Sequence, residues 1–199
     1  PAGSRVGTSS MRRQRFLAAF RSDLDLVDLR GNVPTRVAAV DEGRCDAVVL
    51  AVAGLRRLGL ADRITEELDP AVMLPAVAQG ALALEVREHD EVTRALVAAL
   101  DDLAARAEVT AERACLRRLE AGCQAPVGAL GRLQDGALHL RAAVASPQGV
   151  ATVHLSSPVE EEAEALGVRA AEDLLARLGL TSLRGVAWAG AAPRRLEER

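Results

Sequence analysis

Through the first eighty residues, short strand-like apolar runs alternate with helical stretches, and the turn closing each early run carries glycine and arginine. That alternation constrains the fold more than any other feature, because strands separated by helices build βα units and a mainly parallel sheet. Val6 leads through Ser9 and Ser10 into an expected helix over 11–20. Residues 24–29 alternate Leu, Asp, Leu, Val, Asp, Leu and read as a strand. Pro34 suits the first turn of a helix ending near Glu42 and Gly43. The continuous apolar run 47–52 reads as a buried strand.

The pattern then changes. The segment Leu74-Pro75-Ala76-Val77-Ala78-Gln79-Gly80 punctuates the chain, 81–86 reads as a further strand, and 91–120 reads as helical with Leu96, Ala99, Leu100 and Leu103 at helical spacing. Beyond residue 123, Asp135-Gly136 and Gln148-Gly149 separate alternating runs at 127–133, 137–144 and 150–155, which predicts an antiparallel three-stranded meander. A helix over 159–178 follows, ending at Gly179. The tail after Trp188 reads as a frayed, solvated end. The fold class is therefore α/β, an incomplete α/β lobe followed by a small α+β domain. The crossing between the two falls in the segment 74–80, near Gln79 and Gly80.

Composition narrows the function. The net charge of −3 argues against a general nucleic-acid binder, yet residues 1–36 hold seven Arg against three Asp, so a local +4 sits in an otherwise acidic chain. A basic patch of that kind points to a specific anion. No apolar run is long enough to span a bilayer and no leader precedes one, so the expected location is cytoplasmic. The three cysteines, at 45, 115 and 123, have neither disulfide nor zinc spacing, and no metal is expected. The chain opens on Pro1 rather than Met and reads as a piece of a longer protein.

Gly7-Thr8-Ser9-Ser10-Met11-Arg12-Arg13 sets small hydroxyl residues at a helix start, where unpaired N–H groups favour an anion, with two guanidinium groups alongside. Arg30-Gly31-Asn32-Val33-Pro34-Thr35-Arg36 repeats the arrangement one βα unit later. Both turns open at strand C-termini, where open α/β sheets bind ligands. Several Arg forks imply several carboxylates or phosphates. With neither a P-loop nor G-x-G-x-x-G, polycarboxylates remain. Cys123 lies in the Gly-flanked turn Glu120-Ala121-Gly122-Cys123-Gln124-Ala125-Pro126 and is the most reachable thiol.

These motifs, together with Asp46-Ala47-Val48-Val49-Leu50-Ala51-Val52-Ala53-Gly54-Leu55 and Leu74-Pro75-Ala76-Val77 with Gln79-Gly80-Ala81, resemble in order and spacing the hydroxymethylbilane synthase (porphobilinogen deaminase) family, most strongly over residues 4–128. The resemblance implies the second and third domains of that fold, a periplasmic-binding-protein-like lobe over 1–79 and a cofactor-carrying α+β domain over 98–199, with 80–97 returning to a missing first domain. It implies a transferase of tetrapyrrole (heme) biosynthesis that joins four porphobilinogen molecules into hydroxymethylbilane with loss of ammonia. It also implies a dipyrromethane cofactor bound covalently through Cys123. Thr8, Ser10, Arg12 and Arg13 would bind the cofactor, and Arg30, Arg36 and Arg57 the substrate and elongating polypyrrole. The family's catalytic aspartate lies in the first domain and matches no residue here, so this chain alone is expected to be inactive. The full-length protein is expected to be a monomer, with no nucleic-acid or membrane partner. The rival reading is a non-catalytic module that binds an anion or polycarboxylate with the same fold.

Overall fold

In the computed structural model, residues 1–122, 124–146, 149–158, 163–188 and 194–195 are described. The first lobe is built on a parallel sheet of β1 (Arg5–Gly7), β2 (Asp25–Asp28), β3 (Ala47–Val48) and β7 (Arg194–Arg195), in the order β3-β1-β2-β7. Helix α1 (Met11–Phe20) follows β1 and α2 (Val33–Asp41) follows β2, as the alternation predicts. Each begins on a side-chain cap. Ser10 Oγ accepts from the Arg13 N–H at 3.4 Å, and Asn32 Oδ1 accepts from the Thr35 N–H at 2.9 Å. Gly7 must be glycine, since a Cβ there would lie 2.8 Å from Leu29 Cδ2.

The apolar run 47–52 is not the buried strand that its composition predicts. β3 is two residues long and, among the described residues, pairs only with β1; Ala47 is exposed and Val48 half-buried, and α3 (Val52–Arg57) has already begun at Val52. An edge strand has neither the second neighbour nor the second covered face that the run anticipates. Of the tail after Trp188, Arg194 and Arg195 are described, and they pair in parallel with Val27 and Asp28 where a frayed end is expected; 189–193 and 196–199 lie outside the described residues. An open edge at β2 supplies the hydrogen-bonding groups that recruit them.

Residues 81–86 form no strand and Leu82 is 98% exposed, because no described strand lies alongside to complete a ladder. The expected helix 91–120 is two helices, α4 (Glu91–Ala98) and α5 (Leu103–Leu119). The break comes at Asp101-Asp102, where Asp102 Oδ1 accepts from the Ala105 N–H at 3.0 Å and starts α5 afresh. None of α4 is buried, so Val92 and Leu96 face solvent.

The C-terminal domain follows the expected pattern closely. β4 (Val127–Gln134), β5 (Ala137–Ser146) and β6 (Gly149–Ser157) make the antiparallel meander, with Asp135 and Gly136 both at positive φ (52° and 75°) in the first turn. Gln148 and residues 159–162 lie outside the described residues, and α6 (Ala163–Leu178) stops where Gly179 adopts φ 66°. One sheet face packs on α5 and α6 through Leu119, Leu138, Leu140, Leu166 and Leu174, all fully buried. The other face meets the first lobe, where Phe16 of α1 and Leu74 of the crossing segment close on Ala143 and Ala145. Gly128 allows that approach, since a Cβ would lie 2.7 Å from Leu74 Cβ. Farther along, the Arg15 guanidinium donates to the carbonyl of Trp188, which itself packs against the C-terminal core.

Candidate functional site

A cleft of about 530 Å³ opens where the two lobes meet. The first lobe supplies Ser9, Ser10, Arg12 and Gln14 from the turn and helix after β1, and Asp28 and Arg30 from the end of β2. Ala76 and Val77 of the crossing segment, Leu116 of α5, and Gly122, Gln124, Ala125 and Val127 of the C-terminal domain complete it. The ligand edge of the parallel sheet thus faces the loop after α5. Cys123 lies outside the described residues, but its neighbours on both sides line the cleft.

The other two thiols are buried. Desolvation pushes the Cys115 thiol up to about 12 and raises that of Cys45, so neither is poised to ionise.

The arginines fall into three groups. Arg12 lines the cleft although it is buried, donating to the Leu74 carbonyl with Met73 Sδ 3.6 Å from its Nη1. Burial and then the neighbouring Arg13 bring its pKa down to about 10. Arg13 donates to the Val49 carbonyl at 2.9 Å, and its pKa is lowered by burial and by Arg36. Arg36 donates to the Gly31 carbonyl at 2.8 Å. Among the described residues these three arginines rest on backbone dipoles rather than carboxylates, so their mutual repulsion is uncompensated; of the three only Arg12 lines the cleft, Arg13 and Arg36 standing behind it, and an anion beside Arg12 would relieve the repulsion.

Arg30 forms the second group, held by Asp28 through an Nε to Oδ2 contact of 3.2 Å. Arg57 is the third. It is exposed in the last turn of α3 and is not among the residues that line the cleft.

The hydroxyl residues shape the turn more than they face the cleft. Thr8 is fully buried, with Oγ1 accepting from the Ser10 N–H at 3.3 Å and its carbonyl accepting from Gln14 Nε2 at 2.7 Å. Ser10 lines the cleft, but its oxygen caps α1. Sequence reasoning misses Gln14, Asp28 and Gln124 as lining residues, and Glu112 as the support behind them. Gln14 stands one helical turn after Ser10 and Asp28 two residues before Arg30, so the spacing held the signal. Glu112 carried none.

Glu112 is 6% exposed on α5. Its carboxylate accepts from the N–H groups of Ala78 (2.6 Å) and Gly131 (2.8 Å), joining the crossing segment to β4. Ala78 sits at φ 59°, a costly conformation for a residue with a Cβ, and its N–H is held there by this bond. The Ala129 N–H adds a bond to the Pro75 carbonyl at 3.1 Å. Ala76 and Val77 are thereby fixed as one wall of the cleft.

Among the described residues no group of three potential metal ligands comes together, and no helix is long and apolar enough to cross a membrane. Two family models match in succession: "Porphobilinogen deaminase, dipyromethane cofactor binding domain" over residues 1–95, and "Porphobilinogen deaminase, C-terminal domain" over residues 106–176. A porphobilinogen deaminase of Roseiflexus sp. (strain RS-1) is 48% identical over 185 residues, which is 93% of this chain and 61% of that protein. The first match spans the turns after β1 and β2 and the second spans the loop after α5, so the matched ranges cover the residues that line the cleft, and on that agreement the chain belongs to the porphobilinogen deaminase family.

Proposed function

We propose that this chain is the part of a hydroxymethylbilane synthase that carries the cofactor thiol and the arginine wall of its cleft. The whole enzyme is a transferase that condenses four porphobilinogen molecules stepwise and releases ammonia. One observation carries the reading: a cleft lined by Arg30 and by Arg12, which has no carboxylate partner among the described residues, is lined on its other side by the residues flanking Cys123. Porphobilinogen bears an acetate and a propionate, so a chain of such rings brings two carboxylates per ring to be held by guanidinium groups.

The residues fit a dipyrromethane. Arg12 and Arg30 face the volume, Gly122 and Ala125 leave it open, and Cys123 would supply the sulfur of a thioether. When bound, that group supplies the pyrrole terminus to which further rings add. The chain's own residues bind and orient. Arg12, with Arg13 and Arg36 behind it, holds carboxylates through charge that the fold leaves unpaired, and Arg30 offers an exposed guanidinium at the mouth. Thr8 and Ser10 act at one remove, by fixing the turn and the start of α1. Arg57 would act only on a ligand extending past the described cleft.

We read the first lobe as periplasmic-binding-protein-like and 80–97 as returning to a domain outside this chain, which spans 61% of its relative's length. The exposed Leu82, Leu84, Val92 and Leu96 support that, since an apolar patch of this kind marks a contact surface. We further read the protein as cytoplasmic, monomeric at full length, and without nucleic-acid partners.

Mass spectrometry of the full-length protein tests the assignment. An acid-stable pyrrole adduct is expected on the peptide containing Cys123 and lost in Cys123→Ala, with Cys45 and Cys115 unmodified. An adduct on either of those two, or full activity in Cys123→Ala, overturns it.

A further inference from the structure

Among the described residues that line the cleft, Asp28 is the one acidic side chain. An anion-binding cleft gains nothing from a bare carboxylate, which repels the ligand's own. Asp28 is not bare. Its side chain is 14% exposed at the end of β2, and its Oδ2 accepts from Arg30 Nε at 3.2 Å, whereas the Arg30 side chain is 78% exposed. The contact uses the inner N–H of the guanidinium. Among the described residues nothing bonds its two terminal Nη nitrogens. A guanidinium held by its inner nitrogen presents the outer ones as a fork, and a planar carboxylate is the group such a fork matches. The backbone gives Asp28 a fixed base: β2 pairs with β1 on one side and, at Asp28 itself, with Arg195 of β7 on the other.

From this we infer that Asp28 is a positioning residue that orients the Arg30 guanidinium for a carboxylate entering the cleft, and so favours carboxylate-bearing ligands. The inference rests on the reading of the cleft given above for the identity of the ligand, though not for the geometry of the pair. The role belongs to the acceptor oxygen rather than to the charge, which makes Asp28→Asn and Asp28→Ala the informative pair. The first keeps an oxygen for the Arg30 Nε–H; the second removes it. Both delete the same negative charge, so their difference isolates orientation.

The experiment uses the 199-residue chain, alone and in an Arg30→Ala background, titrated separately with porphobilinogen and with inorganic phosphate. NMR follows the Arg30 Nε–Hε resonance and the amides of the Ser9-Ser10 turn. In Asp28→Asn the Nε–Hε resonance should stay close to its parent position, and in Asp28→Ala it should move to that of a solvated arginine while the remaining amide spectrum is unchanged. Porphobilinogen should bind about threefold more weakly to Asp28→Ala than to Asp28→Asn, the range of one exposed charge-assisted contact. In the Arg30→Ala background that difference should vanish. Equal affinities for the two variants, or a difference that survives without Arg30, overturn the inference. Phosphate separates the two readings. If it shows the Asn-over-Ala advantage while porphobilinogen binds no form, the role of Asp28 stands and the proposed ligand fails.

Discussion

Glu112 shows how much of this cleft depends on a side chain that never reaches it. Replacing it with alanine leaves the buried Gly131 N–H and the part-buried Ala78 N–H without an acceptor, at a cost of about 1–3 kcal/mol for the first and less for the second. Urea denaturation of Glu112→Ala should accordingly show a loss of about 2–5 kcal/mol. The residue also has a pH signature. Desolvation raises its pKa, against the lowering effect of the two N–H donors, so the folded state binds a proton more tightly than the unfolded chain does. Its contribution is then fully present below the ordinary glutamate value of 4.5 and is lost as pH rises through the higher folded value. Glu112→Gln cannot titrate. The stability of the parent relative to this variant should therefore fall as pH rises above that point, which denaturation at a series of pH values would read; a constant difference would contradict the assignment. The position of Arg12 and Arg30 on the cleft was legible in the sequence because each stands close after a strand end. Glu112 was not, because its partners lie 34 and 19 residues away and come together only through packing.

At the scale of elements, local signals were reliable where a cap or a turn decides the outcome. Ser10, Asn32 and Asp135-Gly136 each start or reverse an element where the spacing implies. They misled where neighbours decide. The run at 47–52 looks like a central strand, but only pairing on both sides would make it one, and the alternation at 81–86 has no described strand to join. The α5–α6 contact is another feature set by a neighbour. A Cβ at Gly167 would lie 2.2 Å from the Ala111 carbonyl oxygen and 2.7 Å from Ala114 Cβ, so the glycine is what lets the helices meet. Gly167→Ala should force them apart despite alanine's better helix propensity, lowering stability by about 1–3 kcal/mol. Thermal unfolding would show it. A variant as stable as the parent would mean that α6 can slide without cost.

For the molecule as a whole, what lies on the surface matters as much as what is buried. Leu82, Leu84, Val92, Leu96, Leu100 and Leu103 are all exposed along one stretch of chain. If that stretch meets a further domain, the 199-residue chain should self-associate, and Leu82→Asp with Leu84→Asp should reduce this in sedimentation experiments. The same pair of changes in the full-length protein should lower activity. If the catalytic aspartate lies in that further domain, the isolated chain should consume no porphobilinogen, and measurable turnover would refute that expectation. The pairing of β7 with β2 has a consequence in time. Val27 and Arg194 are neighbours in one sheet, yet almost the whole chain separates them. Closing so long a loop is entropically slow, and it cannot begin until residue 195 exists. The lobe that precedes the C-terminal domain is therefore completed after it, since the edge of its sheet beyond β2 waits for residues 194–195.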